Sequence, residues 1–316
     1  GLSRDGKQWG YFSNPTPGSR NSTSVTSEIS QEPHFSVERG YFKDPFKLVL
    51  SSSRSPEADT RIRYTTDGSM PTTRRGKVYT TPINISRTVT VRALVVKNGA
   101  LPSNVVTHTF IKESSRSFMD IPVISITTDR NNLWGKTGIM ETNPRNTTKR
   151  GIEWERPCSV EWIFPDGSDP FQVDCGLRIQ GGNYVRSRYN PNDPGRFGKY
   201  SFRLYFRSDY GPGKLNYKLF PDTQVDEFDV ISLRAGMNDY INPFVVDELA
   251  RRLHSDMGYV AAHGTFAHLF INGIYEGYYN PTERIDEDFL NSYAGTEDQD
   301  WDVIAQFNET REGDRR

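Results

Sequence analysis

The stretch that decides the fold of the second half of the chain is His268 to Leu290, HLFINGIYEGYYNPTERIDEDFL. A short apolar run comes before Asn272-Gly273, a pair of residues strongly favoured in two-residue hairpin turns, and an aromatic run starts at Tyr275. The sequence therefore predicts a β-hairpin. Its second strand should end at Pro281, because proline supplies no backbone N–H to a strand ladder.

The end of the same stretch predicts a helix. The acidic run Asp286-Glu287-Asp288 stands where a helix would begin, and carboxylates are favourable at the positive end of a helix. Phe289 and Leu290 would start its buried side. The hairpin then delivers Glu283 and Arg284 to the start of this helix. An ordinary strand pair packed on a helix is the alternative interpretation of the whole stretch.

A second helix is predicted upstream of the hairpin. Apolar residues at helical spacing indicate a buried face, and charged residues occupy the opposite side. Met257-Gly258 would end the helix. The predicted buried face consists of Phe244, Val245, Leu249 and Leu253, and the predicted solvent face of Asp247, Glu248, Arg251 and Arg252.

Composition narrows the class of protein. The chain has 316 residues, of which 34% are hydrophobic and 12% aromatic, and its formal charge is −1. This charge argues against a nucleic-acid-binding protein that works through bulk electrostatics. No apolar run is long enough to predict a membrane-spanning helix. The five histidines lack the spacing of a zinc site. Because the chain begins without Met or a signal peptide and stops in polar sequence, we expect a piece of a longer protein.

Changes in pattern predict three segments with boundaries at 1–32, 33–112 and 119–316. In the first segment, the run from Trp9 to Asn21 contains NPTPGSRN, and it resembles the last strand and exit loop of a lamin-tail domain. The resemblance implies a lamin-tail remnant followed by a linker. A Pro/Ser-rich linker after an arbitrary strand is the alternative.

The second segment alternates short strand-like runs with turns, which is typical of an immunoglobulin-like β-sandwich. Two of its motifs are YTTDGSMPT, from Tyr64 to Thr72, and YTTPINI, from Tyr79 to Ile85. They resemble the chitobiase/β-hexosaminidase C-terminal module. Asp67-Gly68 would supply a turn, so the motif is architectural rather than catalytic.

Two cysteines, Cys158 and Cys175, flank the turn sequence Asp166-Gly167. Folding the chain about that turn places the cysteines nearly opposite each other on two strands. A disulfide between them and a pair of free thiols are both compatible with this pattern.

Basic residues mark a candidate phosphate site. Two strand-like runs flank a loop that contains Gly181-Gly182 and the arginines Arg186, Arg188 and Arg196. Glycine-rich backbone and guanidinium groups can both bind phosphate oxygens. Lys199, placed on the following strand, could add a point charge. A solvated basic hairpin is the alternative.

Residues from about 120 to 308 resemble the N-terminal half of the CotH (spore coat protein H-like) atypical kinase family. Arg178, the run KYSFR from Lys199 to Arg203, and the hairpin with Glu283 carry the resemblance. The resemblance implies an α+β kinase-like N-lobe that is incomplete at the C-terminus, and ATP and Mg²⁺ as cofactors. It implies that Arg178, Gly182 and Lys199 hold phosphates, that Glu283 orients the lysine or the metal, and that Ala305 borders the adenine. Val246 stands where family members commonly carry an arginine.

The function that follows is that of a multidomain, secreted or cell-surface protein, in a bacterial envelope. The full-length protein is expected to be an ATP-dependent Ser/Thr protein kinase, acting on coat or extracellular protein substrates rich in Ser and Thr. The family's catalytic aspartates lie beyond the end of this chain, so we expect no catalytic residue in the fragment and no activity by itself. The alternative is a non-catalytic adhesion protein that binds surface polysaccharide.

Overall fold

The computed structural model describes residues 1–14, 16, 18–52, 59–113, 118, 120–193, 195–237, 245–296, 301–305 and 309–312. Phe244 of the predicted second helix lies outside these residues. The chain divides into two compact units, Gly1–Ser117 with Asn272–Ile274 and Phe118–Ile271 with Tyr275–Arg316. No helix in the described part of the chain is both long and apolar enough to cross a membrane.

The first unit is built from short strands. They are β1 (Tyr11–Phe12), β2 (Val25–Thr26), β3 (His34–Phe35), β4 (Gly40–Phe42), β5 (Phe46–Leu48), β6 (Leu50–Ser51), β7 (Thr60–Thr65), β8 (Lys77–Val78), β9 (Ile83–Ile85), β10 (Val89–Lys97) and β11 (Val106–Lys112). Five of them form a sheet in the order β4-β11-β10-β7-β8, while β3 pairs with β6 and β5 with β9. Phe35, Leu48 and Ile85 of the small pairs share a core with Val91 and Phe110 of the large sheet. Strands packed around one core agree with the predicted immunoglobulin-like sandwich.

The residues before this sandwich form a small hairpin of their own. Strands β1 and β2 pair antiparallel, with Tyr11 opposite Thr26. Trp9 is 77% exposed and Tyr11 is 50% exposed. Two large aromatic side chains therefore stand on the surface of the first unit.

The second unit combines strands with short helices. Its strands are β12 (Val123–Thr127), β13 (Arg156–Ile163), β14 (Phe171–Ile179), β15 (Phe202–Tyr205), β16 (Leu215–Asn216), β17 (Glu227–Phe228), β18 (Val230–Arg234), β19 (Ala267–Ile271), β20 (Ile274–Glu283), β21 (Val303–Ala305) and β22 (Glu309–Glu312). Its helices are α1 (Arg130–Leu133), α2 (Asn183–Arg186), α3 (Val246–Asp256) and α4 (Glu287–Ala294), with 3₁₀ turns at Asn146–Thr148 and Ile152–Trp154. Strands dominate this unit.

Seven of these strands close into a barrel in the order β12-β13-β14-β15-β18-β20-β19. The closing pair is β12 with β19, which run parallel, with Val123 beside His268. Because side chains alternate across a strand, one face of each strand points into the barrel. Leu177, Leu204 and Ile231 lie on that inner face and are fully buried in its core.

The predicted hairpin is present, and its turn has the predicted chemistry. Asn272 and Gly273 both adopt positive φ, 50° and 77°, as the favoured two-residue turn requires. The prediction that Pro281 ends the second strand is wrong, since β20 continues to Glu283 and Pro281 lies opposite Leu233 of β18. The carbonyl oxygen of Pro281 accepts a hydrogen bond from Thr265 N. At Pro281 the strand therefore lacks one N–H donor but keeps its paired carbonyl acceptor.

Helix α4 begins where the sequence predicts. The Asp286 side chain accepts a hydrogen bond from Phe289 N at 3.1 Å, which caps the first turn. Gly295 adopts the left-handed conformation at the C-terminal end, with φ 64°. Phe289 is buried against this turn.

Helix α3 is present, but its predicted buried leucines are exposed, and part of its predicted solvent face is covered. Leu249 and Leu253 are each 54% exposed, whereas the Glu248 side chain is only 5% exposed. Glu248 accepts hydrogen bonds from Arg252 Nε at 2.8 Å and from Asn280 Nδ2 at 3.0 Å, and it pairs with Arg251. Polar contacts to β20 therefore outweigh the apolar pattern in orienting this helix.

The two cysteines lie where the turn predicts them. Cys158 of β13 stands directly opposite Cys175 of β14 in the antiparallel register. Their Sγ atoms are 3.6 Å apart, and both side chains are buried free thiols. The structure thus has the free-thiol alternative, and a disulfide would require the two Sγ atoms to move closer together.

Candidate functional site

A cavity of about 460 Å³ opens on the second unit, and arginine side chains dominate its lining. We call it the arginine pocket. Its arginines are Arg150, Arg178, Arg186, Arg203, Arg234 and Arg284. None of the other described residues that line it is acidic. This composition favours an anionic ligand.

The strands of the barrel place two of these arginines side by side. Arg178 of β14 is the direct register partner of Arg203 of β15. Their strand neighbours Leu177 and Leu204 point into the barrel, so both arginines point to its outer face. Like charges directly opposite each other on adjacent strands destabilise a sheet. A bound anion would relieve this repulsion.

Three arginines of the pocket have carboxylate partners. Arg178 Nη1 lies 3.4 Å from Glu155 Oε1, and Arg234 Nη2 lies 3.0 Å from Asp247 Oδ1. Arg284 Nη1 lies 3.1 Å from the buried Asp286 Oδ2. Much of the charge of these three guanidinium groups is therefore balanced within the protein.

Arg150 and Arg186 instead bond to neutral groups. Arg150 Nη2 donates to Asn183 Oδ1 at 2.9 Å. Arg186 is buried and donates to the backbone carbonyl of Thr147 at 2.6 Å and to that of Lys149. These contacts fix the positions of the guanidinium groups but leave their charge unbalanced.

Arg203 is the arginine of the pocket with an unused hydrogen-bond donor. Its Nε atom is buried and has no hydrogen-bond partner among the described residues, and the same holds for Oε1 of Gln180 in the same pocket. A buried polar atom without a partner carries a free-energy cost that a bound polar group would remove. The pocket thus offers an unused donor and an unused acceptor.

Two glycines shape the floor of the pocket. Gly181 has φ 128°, a conformation that L side chains rarely adopt, so the chain can turn sharply from β14 toward α2. No atom lies within 4 Å of the position that a Cβ of Gly182 would occupy. The backbone at Gly182 is therefore accessible to a ligand.

Burial and like charges act on the arginines in the same direction. Burial, followed by the neighbouring Arg150 and Arg178, lowers the pKa of Arg186 to about 10. The pKa of Arg203 is lowered as well, chiefly by burial. Arg186 remains cationic at neutral pH because its pKa is still far above 7. Arg203 also remains cationic, because the ordinary pKa of arginine, from which it is lowered, is very high.

Lys199, a predicted phosphate-binding residue, does not line the arginine pocket. It precedes β15 rather than lying on it, and its Nζ donates to the carbonyl of Tyr278. The same Nζ lies 4.3 Å from the centre of the Tyr279 ring. Burial lowers the pKa of Lys199 to about 8, and Glu276 partly opposes that shift.

Glu283 lies on a different face of the sheet from Arg203. It is the register partner of the inward-facing Ile231, whereas Arg203 is the partner of Ser232. Its Oε2 accepts a hydrogen bond from His263 N at 2.7 Å, and Tyr293 OH donates to both carboxylate oxygens. Burial raises the pKa of Glu283 to about 6. Its contacts make it an organiser of the segment around residue 263.

The other predicted site residues divide between the pocket and the rest of the surface. Arg178 and Gly182 line the pocket, as does Arg186 of the basic loop, whereas Arg188 and Arg196 do not. Ala305 ends β21, and its side chain lies outside the described residues. Sequence reasoning assigned no site role to Arg150, Arg203, Arg234 or Arg284. Only the position of Arg203 opposite Arg178 could have signalled one of them.

A second, narrow cleft lies beside the arginine pocket and has the opposite charge. We call it the acidic cleft. Its acidic residues are Glu227, Asp229, Glu283, Asp286 and Asp288, and Arg284 lines both cavities. Burial, followed by Asp286 and Asp288, raises the pKa of Asp229 to about 7.

Comparison with known families gives two matches. Residues 178–311 match the family described as CotH kinase protein, and residues 48–110 match the family described as Fn3 associated. No curated protein matches the chain. Residues 178–311 are therefore similar to the CotH kinase family, as the resemblance predicted, and they follow a segment similar to the Fn3-associated family. All arginines of the pocket except Arg150 lie within the CotH match.

Proposed function

We propose that residues 178–311 belong to an ATP-dependent protein kinase, because they match the CotH kinase family. In this proposal, the arginine pocket holds the phosphates of ATP. The proposed acceptor is a serine or threonine of a coat or extracellular protein. The observation that carries the proposal is the pair Arg178 and Arg203, two partly buried cations that lie directly opposite each other on adjacent strands. The Nε atom of Arg203 is itself buried and has no hydrogen-bond partner among the described residues.

The residues of the pocket fit a phosphate chain. Guanidinium groups bind phosphate oxygens in a bidentate way, and Arg150, Arg186 and Arg203 have charge to offer. The accessible backbone at Gly182 lies on the same floor. Bound ATP would supply the phosphoryl group. The role of the arginines is to orient the phosphates and to stabilise the negative charge that develops during transfer.

Magnesium fits the described residues less well than ATP does. Within the residues that the structure describes, no group of three or more His, Cys, Asp or Glu side chains is arranged to hold a metal ion. We therefore assign no step to Mg²⁺ within this chain. Its use remains an implication of the family match.

Several finer assignments belong to the same proposal. The segments 1–32, 33–112 and 119–316 are proposed as lamin-tail remnant with linker, chitobiase-type sandwich and kinase-like N-lobe. A secreted or cell-surface location fits such accessory modules. Lys199, with a pKa of about 8, is proposed to contribute charge from outside the pocket. Ala305 is proposed to border the adenine outside the arginine pocket, where its small side chain adds little to the affinity for ATP.

Calorimetry of this chain with ATP and Mg²⁺ tests the proposed phosphate site. Transfer of labelled phosphate to a serine-rich peptide by the full-length protein tests the proposed kinase activity. We expect Arg203→Gln to reduce ATP affinity at least tenfold, because each charge-assisted hydrogen bond contributes about 1.5 to 3 kcal/mol. Lys199→Ala is expected to have a smaller effect on binding. ATP binding that is unchanged in Arg203→Gln would remove the pocket from the mechanism.

Carbohydrate binding is the second candidate, and a different surface favours it. Trp9 and Tyr11 are both exposed. Trp9 lines a groove of about 400 Å³ together with Gln8 and Thr26. Exposed aromatic rings beside neutral polar groups suit the apolar faces and hydroxyl groups of sugars. Retention of the chain on an immobilised polysaccharide, lost in Trp9→Ala, would support this function. Equal retention of both proteins would contradict it.

A further inference from the structure

We infer that the arginine pocket recognises the phosphate chain itself, independently of a divalent cation and of the base, so that inorganic tripolyphosphate binds about as well as ATP. This inference rests on the proposed function for the location of the phosphates. It goes beyond that function in naming the chemical group that the pocket selects.

The first step is the charge of the pocket. Arg178, Arg234 and Arg284 each have a carboxylate within 3.4 Å. Arg150 and Arg186 bond only to neutral groups in the contacts described above, and Arg203 keeps an unsatisfied Nε. Glu155 is shared with Arg207, and Asp247 is shared with Arg251. The pocket therefore holds at least three surplus positive charges. A triphosphate carries roughly three to four negative charges at neutral pH.

The second step concerns the cation that usually accompanies a triphosphate. Magnesium neutralises phosphate charge in most nucleotide sites. In the arginine pocket the guanidinium groups already supply a comparable charge, and no described lining residue is a carboxylate that could bind Mg²⁺ from the protein side. Binding of the chain of phosphates can proceed with arginine as the counter-charge.

The third step concerns the base. A purine ring is normally held between aromatic or large apolar side chains. Among the described lining residues of the arginine pocket, Ile179 is the only large apolar one, and it is 2% exposed. The lining therefore gives no reason for the pocket to distinguish adenine from guanine or from no base.

Isothermal titration of the whole chain with sodium tripolyphosphate, ATP, GTP and AMP tests the inference, first in EDTA and then with Mg²⁺. We expect the dissociation constants of tripolyphosphate, ATP and GTP in EDTA to agree within about threefold, and AMP to bind at least tenfold more weakly. Binding of ATP that requires Mg²⁺, or ATP binding without tripolyphosphate binding, would overturn the inference and leave the proposed function standing. Tripolyphosphate binding with exclusion of ATP would instead contradict the proposed function. Absence of binding by all four ligands would contradict both.

Matched arginine variants locate the effect. Arg150 is exposed, so Arg150→Gln should fold, and we expect about a tenfold loss of tripolyphosphate affinity. Arg188 is also exposed, follows α2 closely and does not line the pocket. Arg188→Gln should change the affinity less than twofold. Equal losses in the two variants would indicate diffuse attraction to a basic loop and would overturn the assignment to the pocket.

Discussion

The arginine pocket and the acidic cleft lie on either side of Arg284, and they handle surplus charge in opposite ways. The pocket gathers guanidinium groups, which stay protonated in proteins, so it cannot lose its charge by releasing protons. The cleft gathers carboxyl groups, and one of them, Asp229, has its pKa raised to about 7. The cleft can therefore relieve repulsion by binding a proton, whereas the pocket needs a counter-anion.

This difference separates a surface that is suited to ligand binding from one that is suited to internal stability. Arg203 retains an unsatisfied donor, but Asp286 is used as the cap of α4 and as the partner of Arg284. Substitutions at Arg284, which lines both cavities, should have the largest effect, and substitutions at the edge of the acidic cleft the smallest.

The largest expected effect comes from Arg284→Met. This variant leaves the buried Asp286 without its guanidinium partner, and we expect a loss of about 3 kcal/mol in the free energy of unfolding at pH 7.5. The loss should be smaller at pH 5, because the carboxyl groups of the cleft can then bind protons. Urea denaturation at the two pH values measures both quantities.

Arg234→Met is the control for that variant. Arg234 also lines the arginine pocket and also pairs with an aspartate, but its partner Asp247 is 43% exposed. Loss of the Arg234–Asp247 ion pair should lower the free energy of unfolding by less than about 1 kcal/mol. Similar losses in both variants would mean that burial of the partner does not distinguish the two sites.

A smaller effect is expected from Asp229→Asn. Between about pH 4 and about pH 7, Asp229 keeps a proton in the folded protein but releases it in the unfolded chain. Asp229 therefore makes the free energy of unfolding fall as the pH rises, by at most roughly 1.4 kcal/mol for each pH unit. We expect the variant to lose most of this pH dependence. At pH 7.5 its free energy of unfolding should exceed that of the original protein by about 2 kcal/mol.

Urea denaturation from pH 4 to pH 8 checks this prediction. A weaker slope between about pH 4.5 and about pH 6 should remain in the variant, because Glu283 also has a raised pKa. An unchanged slope in Asp229→Asn would show that burial and the neighbouring Asp286 and Asp288 do not raise the pKa of Asp229.

The smallest effect is expected from Glu227→Gln at the edge of the acidic cleft. Glu227 and Lys214 form an ion pair at 2.8 Å, and both side chains are substantially exposed. Such pairs contribute little, so the free energy of unfolding should change by less than about 0.5 kcal/mol. Thermal denaturation at low and high salt provides the measurement. A change as large as that of Asp229→Asn would show that the cleft acts as one charged unit out to its edge.

Local signals explain the parts of the fold that could be predicted from sequence. Asn272-Gly273 specifies its turn through backbone conformation alone, and Asp286 specifies the start of α4 through one hydrogen bond. The register of Cys158 with Cys175 follows from the position of a single turn. Each of these predictions depends only on residues close together in the chain.

Non-local contacts explain the parts that could not be predicted. The polar face of α3 is buried because Glu248 meets Asn280 of a strand that comes later in the chain, and no helical pattern contains that information. The arginine pocket draws its members from residue 150 to residue 284. Lys199 was predicted for the pocket while Arg203, in the same motif, occupies it, because only Arg203 lies on β15 beside Arg178.

The parallel pairing of β12 with β19 has a consequence for how the second unit folds. Val123 must find His268, so the last seam of the barrel joins positions that are very distant along the chain. Closing so long a loop costs entropy before any contact compensates for it, and folds dominated by such contacts form slowly. During synthesis, one edge of β12 therefore stays unpaired until the hairpin at residue 272 has emerged from the ribosome. A ribosome stalled before that hairpin would hold a chain prone to aggregation.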